Sequence, residues 1–486
     1  MKRYLTTTLP YVNAAPHIGF ALEIVRADIL VRAWRSLGHE VFFNTGTDEH
    51  GLKIYQNALE ASRDPQAYTD EYAEKFRGLE RLLNLDHPTF IRTTDPHHLA
   101  AAQEFWRRCF AKGDIYKKNY EVKYCVGCEL EKTDSELIDG RCPIHPNRDL
   151  EFIKEENYFF RFSKYQEPLL ELYKRYPDFV APAFRQGEIK QFVSAGLRDF
   201  SISRLKAKMP WGIPVPDDDT QVMYVWFDAL VNYVSTLGWP EAENGAFREF
   251  WGTKEAPQAV QIAGKDNLRQ QAAMWQAMLI SAGLPTSRKI LVNGFVTSGG
   301  AKMSKSIGNV IDPERLVAEY GADALRYWVA REANAFEDSD FTPEKFKEAY
   351  NANLANGLGN LASRILKMAE ANNFWPDLPP PEEILGHPQI GIREIIERIE
   401  DQTGIADAMR SLWQNLEDMD LEIQKTEPFK LVKSDPAKGA EEIKRLVALL
   451  WQNSIFLRPF LPESAKRIEE AIRAHQSLAT PLFPRK

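Results

Sequence analysis

At 486 residues the chain exceeds what a single hydrophobic core usually spans, so about two to four domains are expected. It has an ordinary globular composition of 44% apolar and 27% charged residues, with a net charge of −8. That acidic balance argues against broad electrostatic binding of nucleic acid, which rests on excess Lys and Arg, so any such partner would be held by local patches. Residues 1–15 carry Lys2 and Arg3 but then threonines, Pro10 and Asn13, and no long apolar run follows. Neither a signal peptide nor a membrane span is expected, which leaves the cytoplasm as the default compartment.

Residues 3–8, rich in threonine, read as a strand. Ile18, Leu22, Val25, Ile29, Trp34 and Leu37 then recur with the spacing of one face of a helix, which Pro16 opens and Gly38 closes. Residues 41–44 read as a second strand. The resulting β-α-β unit aims a helix N-terminus, with unpaired N–H groups and partial positive charge, at a place where an anion would lie. His17 at that end can donate to a phosphate oxygen, and Gly19 lets a nucleotide come close to the backbone. A lone histidine there is as readily a helix cap. Residues 1–113, including Gly46-Thr47-Asp48-Glu49-His50-Gly51, form the first half of a nucleotide-binding domain. Cys109, in a helical run over 101–112, is most simply a small core residue.

Residues 114–205 break the pattern with short charged and aromatic segments, as an insertion between two halves of one sheet would. Cys125-Val126-Gly127-Cys128 and Cys142-Pro143-Ile144-His145 lie here. Two short ligand pairs at this spacing suit one tetrahedral Zn²⁺, and a closed set of four ligands makes the metal structural; the competing reading is a redox Cys-x-x-Cys. The sheet resumes near Met223, in a second half over 206–295, and continues through a strand at 260–266. Trp275, Met278 and Leu279 on the next helix are packing residues. Within 296–345, Gly299-Gly300 precedes Lys302-Met303-Ser304-Lys305-Ser306, two lysines on a loop that could neutralise a departing pyrophosphate. From 346 to 486 the chain turns helical, with apolar-periodic runs near 346–371, 388–424 and 440–475, and reads as a helix bundle.

These motifs carry a family resemblance. His17-Ile18-Gly19-Phe20 resembles the "HIGH" element of class I aminoacyl-tRNA synthetases, and Lys302 to Ser306 matches their "KMSKS" loop. Thr8-Leu9-Pro10-Tyr11, Val225-Trp226-Phe227-Asp228-Ala229-Leu230, Gly264-Lys265-Asp266 and Asn360-Leu361-Ala362-Ser363-Arg364 resemble segments of the methionyl-tRNA synthetases within that class. The likeness runs from near residue 3 to about residue 465. It implies an α/β fold: a Rossmann-like parallel sheet with a small zinc-knuckle insertion and a C-terminal helical anticodon-binding region. The small insertion sets the chain apart from the isoleucine, valine and leucine enzymes, which carry a far larger editing domain there.

The resemblance further implies an ATP site of His17, Gly19, Gly264, Asp266, Lys302, Ser304 and Lys305, with Mg²⁺ accompanying the nucleotide. His17, Lys302 and Lys305 are the catalytic set. The amino-acid pocket is built from Leu9, Tyr11, Trp226, Ala229, Leu230 and Tyr233, with Asp48 meeting the ammonium group. Asn360, Arg364 and Phe429 face the anticodon, so the partners are ATP, methionine and tRNA(Met). A monomer is expected, because no dimerising module is read after residue 486.

Four positions depart from the family pattern. Phe20 cannot hydrogen-bond a ribose or phosphate, and Phe429 stands where a larger stacking tryptophan is usual. Asn267 and Gln271 replace an aliphatic residue and a histidine. These two amides, one helical turn apart, are expected at the back wall of the pocket, bonded to each other, to Tyr11 or to water. They motivate a rival reading, a paralogue that adenylates a more polar amino acid, with or without tRNA. A non-catalytic RNA-binding protein of the same fold is a third reading, opposed by the intact His17, Asp266, Lys302 and Lys305.

Overall fold

Strand β1 (Lys2–Thr6) lies in the middle of a six-stranded sheet. The others, in chain order, are β2 (Glu40–Thr47), β3 (Thr89–Arg92), β4 (Val180–Ala181), β5 (Ala259–Gly264) and β6 (Lys289–Asn293). Their spatial order is β3-β2-β1-β5-β6-β4, and every pairing is parallel. The order reverses between β1 and β5, and a crevice opens beyond the carboxyl ends of strands at such a switch point. The computed structural model describes residues 1–128, 130–132, 134–303, 309–386 and 399–486.

Short β4 comes from inside the stretch expected to be insertion, yet it closes one edge of the sheet by pairing Val180 and Ala181 with Ile290 and Leu291. Two buried residues are too few to carry a periodic signal. The rest of that stretch is led by a long antiparallel pair, Ile115–Cys125 against Glu151–Phe160, in register from Ile115↔Phe160 to Tyr124↔Glu151. Cys125 therefore sits at the far end of this long pair, where the short strand Leu130–Lys132 adds to it.

Helix α1 (Ile18–Ser36) follows β1 as expected, but its apolar stripe is only part of what it buries. Glu23, Arg26 and Asp28 are buried too: besides the strands of the sheet, α1 contacts the stretch Trp328–Glu332 and the helix Gln402–Thr426. A helix covered on opposite sides hides its polar residues as well, and each then needs a partner. Arg26 accordingly donates to Asn293 Oδ1 and to the carbonyls of Ala335 and Asn334, at 3.0, 3.0 and 2.7 Å.

Among the described residues, the C-terminal region consists of Pro343–Ala349, a wide-turned helical stretch Tyr350–Gly359, Asn360–Asn372, Pro381–Gly386, Gln402–Thr426, Pro428–Ser434, Pro436–Leu457 and Pro462–Arg473. The start of the expected run at 388–424 lies outside the described residues. Side-chain caps open three of these helices: Thr342 accepts from the Lys345 amide, Asp401 from the Gly404 amide, and Asp435, followed by Pro436 in the first turn, from the Lys438 amide. One hydrophobic core runs from α1 through Leu325 and Trp413 to Ile472 and Phe483, so the helices and one face of the sheet share a core. A second core, with Phe105, Phe227, Trp275, Met278 and Leu279, packs the other face. Cys109 is buried in it, and burial pushes its thiol up to about 12, as expected of an inert core residue. No described helix is long and apolar enough to cross a membrane.

Candidate active site

A cavity of about 500 Å³ opens at the crevice beside β1 and β5. It is lined by Leu9, Tyr11, His17, Gly19, Asp48, Trp226, Ala229, Leu230, Tyr233, Gly264, Asp266, Asn267 and Gln271, together with Met303. Residues named from motifs over 250 positions apart thus share one surface. The pairing that brings them together continues past the strands: Asp48 bridges to Tyr11, its amide donates to Pro10 at 3.0 Å, and its carbonyl accepts from Val12 at 3.1 Å. The carboxylate of Asp48 is thereby held beside the Leu9 to Tyr11 wall.

His17 is the N-cap of α1. Its Nδ1 accepts from the Gly19 amide at 3.0 Å, which keeps the ring proton on Nε2 and leaves that atom as the donor. The cap and phosphate readings of this histidine are therefore compatible. A Cβ on Gly19 would stand 2.8 Å from the His17 ring, so glycine is what lets the ring fold over the helix start. Phe20 packs edge-on against Phe76, with ring centroids 5.5 Å apart, and serves as an apolar wall.

Glu23, also in the lining, was not singled out from the sequence. Its Oε1 accepts from the Thr8 amide at 2.8 Å and the Thr8 hydroxyl at 2.6 Å. Burial raises its carboxyl to about 7, with Asp266 adding repulsion and the Thr8 bonds opposing the rise. A glutamate inside an apolar-periodic helix was the available signal. A second unread feature is the buried pair His50 and Asp228, Nδ1 to Oδ2 at 3.1 Å. It ties the segment after β2, which bears Asp48, to the helix Val225–Leu230, which bears Trp226.

Asn267 and Gln271 both reach the cavity, but they do not bond each other or Tyr11. Gln271 donates to the Tyr233 hydroxyl oxygen at 2.6 Å and accepts from Gln261 at 3.1 Å, whereas Asn267 donates to Asp266 Oδ1 at 3.3 Å. The backbone is a tight turn over Lys265–Asn267, α-helical at Leu268 and Arg269 and wide-turned over Gln270–Met274, so the two amides are joined by continuous helical backbone of changing pitch.

The lysine loop begins as a hairpin, Val296–Ser298 against Ala301–Lys302, turned by Gly299 and Gly300 at φ of +62° and +75°. Two consecutive positive φ values are what a two-residue hairpin turn of glycines provides. Asp340 accepts from the Gly300 amide at 2.7 Å. Met303 lines the cavity; the Lys302 side chain, Ser304 and Lys305 lie outside what the structure describes.

The ligand atoms of Cys125, Cys128, Cys142 and His145 all lie within 4.8 Å of one another. Cys128 Sγ is 3.5 Å from Cys142 Sγ and 3.2 Å from His145 Nδ1. Metal–sulfur bonds of about 2.3 Å at tetrahedral angles would place sulfurs roughly 3.8 Å apart, so the four donors fit a single metal ion. A Cβ on Gly127 would meet the His145 ring at 2.6 Å, so this glycine lets the histidine close the set. Gly127 and Cys128 also line the cavity, and Lys53 donates to the Gly127 carbonyl at 3.4 Å, so the cluster abuts the active site.

The family model for tRNA synthetases class I (M) matches residues 3–151 and 133–366. The chain belongs to this family. Among curated relatives of this synthetase, the methionine–tRNA ligase of Thermosynechococcus vestitus is 49% identical over 369 residues, covering 75% of this chain and 68% of the relative. That of Synechocystis is 39% identical over 484 residues, covering 96% and 89%. Among solved structures, the methionyl-tRNA synthetase of Mycobacterium tuberculosis bound by methionyl-adenylate superimposes with a TM-score of 0.89 at 34% identity, over 100% of this chain and 98% of that one.

In the synthetase's helical region, Asn360 is exposed at the start of Asn360–Asn372, and Arg364 pairs with Asp420 at 2.5 Å. Phe429 is 49% exposed, with the Lys430 ammonium 5.9 Å from its ring centroid.

Proposed function

We propose that this class I synthetase is a methionine–tRNA ligase, which activates methionine with ATP and transfers it to tRNA(Met). The observation that carries this reading is the meeting of His17, Gly19, Gly264 and Asp266 from the expected nucleotide set with the expected amino-acid set in one cavity at the sheet's switch point. In the first step the amino-acid carboxylate attacks the α-phosphorus of ATP, and pyrophosphate leaves. His17 Nε2 donates to a phosphate oxygen while Lys302 and Lys305 oppose the charge growing on the leaving group, with Mg²⁺ bound to the nucleotide. Catalysis is then mostly positioning and electrostatics. Asp266 accepts from ribose hydroxyls, and Asp48 receives the ammonium group. In the second step a terminal ribose hydroxyl of the tRNA attacks the activated carbonyl and AMP departs, so no protein nucleophile is needed.

Asn360, Arg364 and Phe429 are assigned to the anticodon, where a phenyl ring can stack on a base. Cys125, Cys128, Cys142 and His145 would hold one Zn²⁺, which supplies a structural crosslink with no open coordination position.

The test is ATP–pyrophosphate exchange with each of the twenty amino acids. Methionine should give the highest kcat/KM. A polar amino acid that outperforms it would overturn the assignment in favour of the paralogue.

A further inference from the structure

Behind the cavity, four buried amides and hydroxyls continue from Tyr233 into the protein. Gln271 donates to the Tyr233 hydroxyl oxygen at 2.6 Å; Gln261 donates to Gln271 Oε1 at 3.1 Å; Ser287 donates to Gln261 Oε1 at 2.5 Å; and Gln276 donates to Ser287 Oγ at 3.1 Å. Each of these side chains is 2% exposed or less.

The direction of the chain follows from its far end. An amide's oxygen and nitrogen look alike in shape, so the orientation of a glutamine must come from its partners. Gln276 has two partners of unambiguous kind: the Ser287 backbone N–H, which can only donate, 2.9 Å from its Oε1, and the Gln271 backbone carbonyl, which can only accept, 2.8 Å from its Nε2. Its Nε2 must therefore also be the atom facing Ser287 Oγ. That hydroxyl accepts there and has its one hydrogen left for Gln261 Oε1. Gln261 then presents Nε2 to Gln271, which in turn presents Nε2 to Tyr233. The Tyr233 oxygen is an acceptor on this side, so its hydrogen points elsewhere, toward the cavity that Tyr233 lines. Burial pushes the Tyr233 hydroxyl up in pKa, so it stays a neutral donor at physiological pH.

We propose that Ser287 and Gln261 are specificity-positioning residues: with Gln276 and Gln271 they hold the Tyr233 hydroxyl as a donor toward the pocket. A site built this way favours a side chain that accepts a hydrogen bond at that depth and has no hydrogen to give, which among apolar side chains is a thioether. The inference rests on the methionine reading above and adds to it the buried residues that fix which way the Tyr233 hydroxyl points.

The probe is norleucine, which replaces the methionine sulfur by CH₂ and so offers no acceptor. Removing the Ser287 hydroxyl frees Gln261 and then Gln271 to turn over. Gln271 Oε1 can then take the Tyr233 proton, so the pocket loses its donor. In ATP–pyrophosphate exchange, Ser287→Ala should lower kcat/KM for methionine about fivefold, mostly through KM, and change that for norleucine less than about twofold. Ser287→Thr keeps the hydroxyl and should restore the methionine preference, and Tyr233→Phe sets the limit of the loss.

An unchanged methionine-to-norleucine ratio in an active Ser287→Ala, or equal losses for both amino acids, overturns the relay alone. A wild-type protein with no methionine-dependent exchange overturns the reading of the site and the relay with it. If Ser287→Ala does not fold, Gln261→Met, which removes the amide that orients Gln271, must shift the same ratio, and an unshifted ratio overturns the relay.

Discussion

Asp28 Oδ2 lies 2.7 Å from the Arg326 guanidinium, and neither side chain has any solvent exposure. Asp28 stands on α1, against the sheet. Arg326 also donates to the carbonyls of Leu83, Pro459 and Phe460, at 3.2, 2.7 and 2.8 Å, so one guanidinium joins the catalytic body to the C-terminal helices. Arg32 is the second cation on Asp28, at 2.8 Å.

Removing Arg326 leaves the buried Asp28 charge with Arg32 as its one remaining described cation and strips three buried carbonyls of the guanidinium that serves them. Arg326→Met should therefore destabilise the protein by about 3–5 kcal/mol. Urea unfolding followed by circular dichroism measures this. A loss below about 1 kcal/mol would mean that solvent reaches the site and that the pair is not the join described.

Glu23 predicts a pH dependence. Its carboxyl is raised from 4.5 to about 7 in the folded protein, principally by burial. The folded state then holds the proton more tightly than the unfolded chain. The associated stability is fully present below pH 4.5 and is lost as pH rises through 7, to a total of roughly 3 kcal/mol. Glu23→Gln stays neutral and keeps an acceptor for Thr8. Its stability should fall less than wild type's across that window, leaving it the more stable protein at pH 8. Parallel stability-versus-pH curves for the two proteins would rule the titration out.

At the cysteine cluster, elemental analysis should find one zinc per chain. Gly127→Ala places a methyl 2.6 Å from the His145 ring and should weaken metal retention about 10- to 100-fold, read as zinc release to a chelator. Full retention by the variant would show that His145 is not a ligand.

Lys305→Ala should slow adenylate formation by about 10²-fold or more while leaving methionine affinity nearly unchanged, since its charge is needed only as pyrophosphate departs. Rapid-quench single-turnover kinetics would show it. An unaltered rate would take the lysine loop out of the mechanism.

Local pattern and ligand spacing sufficed for much of this protein. The α1 stripe between Pro16 and Gly38, the strands on either side, the paired Cys-x-x-Cys and Cys-x-x-His, and the glycine turn before Lys302 each depend on a few neighbouring residues, so a linear reading reaches them. The likeness of separated motifs to one family named many of the residues that line the cavity, though not Glu23. What lay beyond that reading depends on contacts across hundreds of residues. Short β4 exists only because Ile290 and Leu291 offer it an edge. The burial of Asp28 required Arg326 and the carbonyls of Pro459 and Phe460 to close over it, and that of Glu23 required Thr8 and Asp266 to meet it at the cavity, since charge placement within a helix does not say which faces will be dry. The partners of Gln271 were also a tertiary decision. A buried amide bonds to whatever the fold brings within 3 Å or so, and here that is Tyr233 and Gln261, where spacing along the chain had suggested Asn267.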